Sequence, residues 1–236
     1  MISIVLISPI TPGNIGAIAR AMKNFDFKEL ILVNPRCDHI SKEAMDRASH
    51  AKDILKKAKK MAFNEVLERF DYIVGTTSKI STDYNIPRCP ISPEQFAEKL
   101  DEIKGKTKFA LLFGNESFGL TNKEIDGCDF MITVPSSKDY PALNLSHSAA
   151  IILYEIYARK GRKKVTKEIW PITNKEKKQI AKMVDNVLDS MIFETKERKD
   201  TQRKVWKKMV GKSFMTRREA YALMGFLKKI LQRKFR

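Results

Sequence analysis

Five short apolar runs, each of strand length, constrain the fold of this chain most strongly. They are nearly continuous rather than alternating with polar residues, which is typical of parallel strands buried on both faces. Helix-like stretches separate the runs, so the first 158 residues predict an α/β fold with a parallel sheet. The runs are Ile2–Ile7, Leu30–Val33, Tyr72–Val74, Phe109–Phe113 and Phe130–Val134.

The stretches between the runs carry helix signals. Asn14–Phe25 has apolar residues at helical spacing, and Lys42–Met61 has the composition of one long polar helix. Ser92–Gln95 forms a capping box with proline at the first helical position, which predicts a helix start. Asn144–Arg159 is strongly apolar and predicts the last helix of this region.

From Arg159 onward the chain changes character. Arg159–Lys164 is a basic stretch interrupted by glycine, which indicates a linker. Capping boxes at Thr173–Glu176 and Thr216–Glu219 open two amphipathic helices. Trp206 is expected to anchor their core, and stacking on an RNA base is the alternative role. We therefore predict two parts, a domain over residues 1–160 and a small basic α-helical extension over residues 161–236.

The net charge is distributed very unevenly. The whole chain carries +17, yet residues 1–158 hold 20 basic and 20 acidic side chains, whereas residues 159–236 hold 25 basic and 8 acidic ones. A neutral body joined to a basic arm indicates a polyanionic partner such as a nucleic acid. A solvated lysine-rich helical surface and a membrane-surface helix are the alternative interpretations.

Cysteine and histidine usage excludes several classes of protein. Both residue types are scattered, which argues against a disulfide framework and a metal site and favours a reducing, cytoplasmic location. Apolar runs long enough to span a membrane are absent from the sequence. The residues are Cys37, Cys89, Cys128, His39, His50 and His147.

Three polar loops follow predicted strands, where α/β sheets place functional residues. The first continues into a helix on which Arg20 points away from the apolar stripe. The second holds Glu116 between two glycines, and the third carries Asn144 and Ser146 before the next helix. Taken singly, these residues fit a solvated arginine, a carboxylate satisfied within its own loop, and helix caps.

Taken together, the three loops resemble the motifs of the SPOUT methyltransferases. The segments are Pro12–Phe25, Phe113–Leu120 and Tyr140–His147, in the order and spacing of that family. The long first motif is similar to that of the TrmJ branch, the tRNA 2′-O-ribose methyltransferases. The match covers residues 1 to about 160, and Met215–Glu219 also resembles the end of the extension in that branch.

The resemblance implies a fold, a cofactor and partners. The parallel sheet would end in a C-terminal trefoil knot, whose loops would bind S-adenosyl-L-methionine. The protein would act as a homodimer in which each active site is completed by the partner chain. The substrate would be tRNA, methylated on a ribose at anticodon-loop nucleotide 32. The implied cofactor-binding residues are Thr76, Thr77, Ser78, Gly114, Ile132, Ala142 and Leu143.

The resemblance also assigns catalytic roles. Arg20 would assist loss of the 2′-hydroxyl proton, with Asn14, Glu116 and Asn144 positioning it and the nucleotide. Bacterial-type members carry serine where this chain has Ala142, so here the hydroxyl would come from Ser146 or from another residue, or would not be needed. Cytidine is the expected target base, with uridine second.

Several cations are expected to bind the tRNA phosphate backbone without reading sequence. In the first domain they are Lys23 and Arg88. In the tail they are Lys163, Lys164, Arg203, Lys204, Lys207, Lys208, Arg217, Arg218, Lys228, Lys229, Arg233 and Lys234. Two other functions remain open from sequence alone: a non-catalytic RNA-binding protein on the same scaffold, and a ribosomal RNA 2′-O-methyltransferase.

Overall fold

The computed structural model describes residues 1–78, 90–103, 106–159 and 171–232. Strands and helices alternate along its first part, as predicted. The strands are β1 (Ile2–Ile7), β2 (Leu30–Val33), β3 (Lys59–Lys60), β4 (Tyr72–Thr76), β5 (Phe109–Phe113) and β6 (Phe130–Ile132). The helices are α1 (Pro12–Asn24), α2 (Lys42–Ala48), α3 (Lys52–Lys56), α4 (Phe63–Arg69), α5 (Pro93–Glu102), α6 (Asn122–Gly127) and α7 (Leu145–Arg159).

The six strands form one parallel sheet in the order β3-β2-β1-β5-β4-β6. The register pairs Leu6 of β1 with Phe113 of β5, and Leu112 of β5 with Gly75 of β4. The carboxyl ends of these three strands therefore lie side by side. The loops that follow them meet at one edge of the sheet, where open α/β sheets bind ligands.

Both faces of the sheet are covered. Along β1, Ile4 and Leu6 belong to one apolar cluster, whereas Val5 and Ile7 belong to the other. Helices α1, α5 and α7 contribute to the first cluster, and α4 and α6 contribute to the second. This arrangement explains the continuous hydrophobicity of the strands, because successive side chains point to opposite buried faces.

The long helix predicted over Lys42–Met61 is wrong. Helix α2 ends at Ala48, the next residue Ser49 has a φ of 51°, and a 3₁₀ turn over Ser49–Ala51 and the short α3 follow. Lys59–Lys60 then pairs with β2 as an edge strand. Strand pairing has overridden the local helical preference there, as tertiary contacts commonly do. Helix α4, which follows directly, was not among the predicted elements.

The predicted capping boxes are confirmed at the starts of three helices. At α5, the Ser92 hydroxyl accepts from the Gln95 amide at 3.1 Å, and the Gln95 side chain accepts from the Ser92 amide at 2.9 Å. The same reciprocal pattern joins Thr173 to Glu176 and Thr216 to Glu219. Each box satisfies amides that would otherwise lack a partner at a helix start.

The basic tail forms three helices, α8 (Asn174–Asp189), α9 (Lys196–Lys212) and α10 (Arg217–Gln232). They share an apolar core, and Trp206 packs against it partly buried, as expected. Helix α9 was not predicted, because charged residues dominate it. The core residues include Ile180, Val184, Leu188, Val210, Met224 and Leu227.

The tail packs against the part of the chain from β1 to α7, which we call the sheet domain. The Phe214 ring, between α9 and α10, stacks on Tyr72 of β4 with centroids 5.4 Å apart and also contacts Phe130 of β6. Asn174 of α8 donates to the carbonyls of Leu67 and Phe70, each at 3.0 Å. The predicted linker begins at Arg159, which the structure shows as the last residue of α7; residues 160–164 of the linker and the predicted domain boundary lie outside the described residues.

Candidate active site

Glu116 ties the second motif to the first. Its carboxylate accepts hydrogen bonds from the amides of Ile10 and Thr11, both at 3.0 Å, and from Asn14 Nδ2 at 3.2 Å. These donors lie just before and within the first turn of α1, where a carboxylate is electrostatically favoured. Glu116 therefore fixes the loop that leads from β1 into α1.

Asn144 extends this connection to the third motif. Its Nδ2 donates to Asn14 Oδ1 at 3.2 Å, and its Oδ1 accepts from the amide and hydroxyl of Ser146 at 2.9 and 2.7 Å. Asn144 thus caps α7 and at the same time binds α1. Four of the five predicted catalytic residues, Ser146, Asn144, Asn14 and Glu116, therefore form one hydrogen-bonded chain, which we call the motif chain.

The second motif closes a tight loop. Asn115 and Gly119 exchange backbone hydrogen bonds of 3.1 and 2.8 Å, and Gly119 has a φ of 73°, which favours glycine. A Cβ atom on Gly114 would lie 2.2 Å from the backbone of Gly119. Both glycines are required by the closure of this loop. Asn115, which sequence reasoning missed, fastens it to β1 by donating to the Ser8 carbonyl at 2.7 Å.

A cavity of about 530 Å³ opens beside the motif chain. Its volume lies within the usual range for small-molecule sites. All seven residues predicted to bind the cofactor line it: Thr76, Thr77, Ser78, Gly114, Ile132, Ala142 and Leu143. Sequence reasoning missed further lining residues. Phe118, Leu120 and Leu145 lie within the motif segments but were not assigned to the cofactor, and Ile125, Val134 and Ile152 lie outside those segments.

The lining of this cavity is amphipathic. Thr76 at the end of β4 and the following Thr77 and Ser78 line it together with aliphatic side chains from α6, β6 and α7. Thr76 is anchored, since its hydroxyl donates to the Leu112 carbonyl at 2.9 Å. A ligand that combines an apolar aromatic ring with a hydroxylated or charged portion fits such a lining.

Arg20 stands apart from the motif chain. It lies exposed on α1, is not among the residues that line the cavity, and makes no hydrogen bond or ion pair with any other described residue. The expected positioning of Arg20 by Asn14, Glu116 and Asn144 is therefore not seen within the described part of this single chain.

The thiol of Cys37 lies near the motif chain but is not activated. Its Sγ donates to the Pro9 carbonyl at 3.5 Å. Burial raises the pKa of Cys37, and the nearby Glu116 carboxylate raises it further. A thiol held protonated is a poor nucleophile, so this geometry does not indicate covalent catalysis through cysteine.

The cations expected to bind tRNA occupy different environments. Lys23 is held by Asp53 at 2.7 Å and by the His50 carbonyl at 2.8 Å. Arg203 binds Asp185, Asp189 and Asp200, so its charge is largely neutralised. The expected residues Arg88, Lys163, Lys164, Arg233 and Lys234 lie outside the described residues.

Lys208 is the clear correction among these cations. It is only 3% exposed and donates to two backbone carbonyls of the sheet domain, so it is not a phosphate contact. Lys207 also donates to a carbonyl of that domain, that of Asp126. Arg217 is exposed and lies 3.3 Å from Glu176. Arg218 is exposed and has no ion pair with any residue of the described segments.

Two kinds of feature are absent from the described residues. No helix there is long and apolar enough to cross a membrane. In the same part of the chain, no three histidine, cysteine, aspartate or glutamate side chains lie close enough together to hold a metal ion.

Comparison with known proteins gives consistent matches. The family model described as the SpoU rRNA Methylase family matches residues 1–154. The tRNA (cytidine-2′-O-)-methyltransferase TrmJ of Methanocaldococcus jannaschii is 37% identical over 230 residues, which is 97% of this chain and 99% of that protein. The protein of the same name from Sulfolobus acidocaldarius is 32% identical over 236 residues, which is 98% of this chain and 94% of that protein.

Among solved structures, the crystal structure of TrmJ from Z. mobilis ZM4 superposes with a TM-score of 0.71 at 27% identity. The superposition covers 98% of this chain and 99% of the Z. mobilis chain. The agreement extends over the tail as well as the sheet domain. The chain therefore belongs to the SpoU methylase family and, within it, to the TrmJ group.

Proposed function

We propose that this chain transfers a methyl group from S-adenosyl-L-methionine to the 2′-hydroxyl of a tRNA ribose. The observation that carries the proposal is the motif chain at the mouth of the amphipathic cavity. The names of the two most similar relatives described above support tRNA as substrate and cytidine as target base. We place the target at nucleotide 32 of the anticodon loop, with uridine as the second base.

The cavity fits the proposed cofactor. Aliphatic side chains such as Leu120, Ile132 and Ile152 offer a surface for the adenine ring, and the hydroxylated loop Thr76–Ser78 offers partners for the ribose or the amino-acid portion. When bound, S-adenosyl-L-methionine supplies a methyl group attached to a positively charged sulfur. Gly114, Ala142 and Leu143 would complete the contacts.

The residues of this chain act on the ribose. Positioning the 2′-oxygen in line with the methyl carbon lowers the barrier by avoiding an entropic cost. Arg20 would bind the adjacent phosphate and stabilise the developing negative charge on the 2′-oxygen as its proton passes to solvent water. A guanidinium with a pKa above about 12 is a hydrogen-bond donor at neutral pH, so this role suits it better than that of a base.

A homodimer explains why Arg20 lies away from the cavity of its own chain. In the proposed dimer each site is completed by the other protomer. An exposed apolar face on α7 supports this proposal: Ile151 is 38% exposed, Tyr154 53% and Tyr157 40%, and both tyrosine rings contact Phe25. Such a face is typical of a surface that another chain covers.

The remaining expectations belong to the same proposal. Residues 1–160 would form the catalytic domain, closed by a trefoil knot, and residues 161–236 would form the tRNA-binding extension. The fold similarity to a TrmJ structure supports this arrangement. A cytoplasmic location agrees with a tRNA substrate and with the free thiols of Cys37 and Cys128.

The first test is methyl transfer from labelled S-adenosyl-L-methionine to unmodified tRNA transcripts, followed by mapping of 2′-O-methylation. We expect one modified ribose, at nucleotide 32. Because the matching family model is named for ribosomal RNA methylases, ribosomal RNA fragments are the second substrate to assay. Cofactor binding without transfer to tRNA would overturn the tRNA assignment, and no cofactor binding would favour a non-catalytic RNA-binding protein.

The salt dependence of tRNA binding tests the role of the tail. We expect the Arg218→Ala variant to bind tRNA more weakly and to reduce the slope of log affinity against log salt concentration by about 1. The Arg203→Ala variant should change that slope less, because three carboxylates already neutralise its charge. Filter binding between low and moderate salt measures both slopes.

Lys56→Ala is the control for this experiment, since Lys56 is an exposed cation at the end of α3 in the sheet domain. Its slope should equal that of the wild-type protein. An unchanged slope for Arg218→Ala would show that the tail surface around α10 does not contact the phosphate backbone.

A further inference from the structure

The segment Ile125–Asp129 comprises the end of α6 and the two residues before β6. It forms part of the cavity wall, and we call it the wall segment. Ile125 lines the cavity at the beginning of the segment. The segment continues directly into β6, whose last residue, Ile132, also lines the cavity. A displacement of this wall segment would therefore shift two apolar contacts of the proposed cofactor.

Lys208 of the tail donates hydrogen bonds to two backbone carbonyls of the wall segment. Its ammonium group donates to the Ile125 carbonyl at 2.9 Å and to the Cys128 carbonyl at 2.7 Å. The Ile125 carbonyl also accepts from the Cys128 amide at 3.1 Å, and lysine is a suitable further donor to carbonyls at a helix C-terminus. Here the donor comes from a residue 80 or more positions away in sequence and lies in the interface between tail and sheet domain.

Other tail residues contact the same segment. Lys207 donates to the Asp126 carbonyl, and Lys177 of α8 lies 2.8 Å from Asp129 Oδ1. Helix α9 approaches so closely that a Cβ atom on Gly211 would lie 2.8 Å from both Cβ and the carbonyl oxygen of Asp129. The tail thus contacts four of the five residues of the wall segment.

We propose that Lys208 is a positioning residue for the cofactor site, so that docking of the tail and binding of S-adenosyl-L-methionine are thermodynamically coupled. The inference rests on the proposed function, since it takes the cavity as the cofactor site. Coupling is reciprocal: a docked tail raises cofactor affinity, and bound cofactor strengthens tail docking by the same factor. The tail then acts on methyl transfer in addition to binding RNA.

The test compares Lys208→Met, which keeps the length of the side chain but removes its donors, with Arg198→Met. Arg198 is exposed on the same helix and pairs only with Glu194 among the described residues. Isothermal titration with S-adenosyl-L-methionine well below the unfolding temperature should show about tenfold weaker binding for Lys208→Met. Arg198→Met should bind like the wild-type protein, and tRNA affinity without cofactor should change less than about twofold in both.

A purely structural role for Lys208 gives a different result. Well below the unfolding temperature nearly all molecules of a less stable variant are folded, so its Kd is unchanged, and irreversibly unfolded molecules lower only the binding stoichiometry. An unchanged Kd for Lys208→Met would overturn the inference while the proposed function stands. Failure of the wild-type protein to bind the cofactor would instead overturn the proposed function and this inference with it.

Hydrogen exchange on the wild-type protein keeps the inference testable if Lys208→Met does not fold. Adding S-adenosylhomocysteine should slow amide exchange in the wall segment and also in residues 204–212 of α9, which do not line the cavity. Residues 42–48 of α2, on another part of the sheet domain, should not change. Protection confined to the cavity lining, with α9 unaffected, would contradict the coupling.

Discussion

Replacement of Arg20 by alanine should lower the rate of methyl transfer to tRNA by at least about 100-fold, because a donor that stabilises developing charge is lost. Cofactor affinity should not change, since Arg20 is not among the residues lining the cavity of its own chain. Single-turnover methylation with labelled cofactor measures the rate, and isothermal titration measures the affinity. Arg20→Lys should retain part of the activity, because it keeps the charge but loses the planar fork of donors.

Lys52→Ala is the matched control for Arg20→Ala. Lys52 is also an exposed cation on a helix of the sheet domain, at the first position of α3. Its removal changes the net charge equally and should leave the rate within about twofold of wild type. A rate for Arg20→Ala close to that of this control would contradict the proposed role of the guanidinium.

Replacement of Lys177 by methionine should destabilise the protein by about 3 kcal/mol, because it leaves a buried carboxylate without its counter-charge. Lys177 Nζ lies 2.8 Å from Asp129 Oδ1, with both side chains nearly buried, and 3.9 Å from the centre of the Tyr72 ring. Burial lowers the pKa of Lys177, whereas the Asp129 carboxylate opposes that shift. Urea unfolding followed by circular dichroism measures the loss.

Two further variants separate charge from packing at this site. Lys178→Met removes an exposed neighbouring lysine and should change stability by less than about 0.5 kcal/mol. Adding Asp129→Asn to Lys177→Met should recover much of the loss, since the amide oxygen still accepts from the Ile73 amide while the charge is gone. If Lys177→Met unfolds at the wild-type urea concentration, the ion pair does not stabilise the docked tail.

The sheet domain was largely predictable from local pattern. The ranges of β1, β2 and β5 agree residue for residue with the apolar runs, because strands buried on both faces leave an uninterrupted hydrophobic signal. β3 carried no such signal, since Lys59–Lys60 is exposed and is a strand only through its pairing with β2. For the same reason the surrounding polar stretch was predicted as one helix.

The candidate site was predictable in its residues but not in its connections. The motifs identified Asn14, Glu116, Asn144 and Ser146, yet nothing in their spacing showed that they form one hydrogen-bonded chain. That chain exists because parallel strand pairing places the ends of β1 and β5 together and α7 returns beside α1. The separation of Arg20 from the chain likewise depends on the packing of α1.

The basic tail shows which properties follow from local sequence and which depend on the tertiary structure. Charge counts along the chain, capping boxes and apolar stripes establish a helical, cationic module, because these properties depend on composition and local periodicity. Which cations remain available to a polyanion depends on long-range contacts: Arg203 meets three aspartates, and Lys208 is buried against the sheet domain. Residues 80 positions apart in sequence become neighbours only when the tail docks, so no local pattern records their pairing.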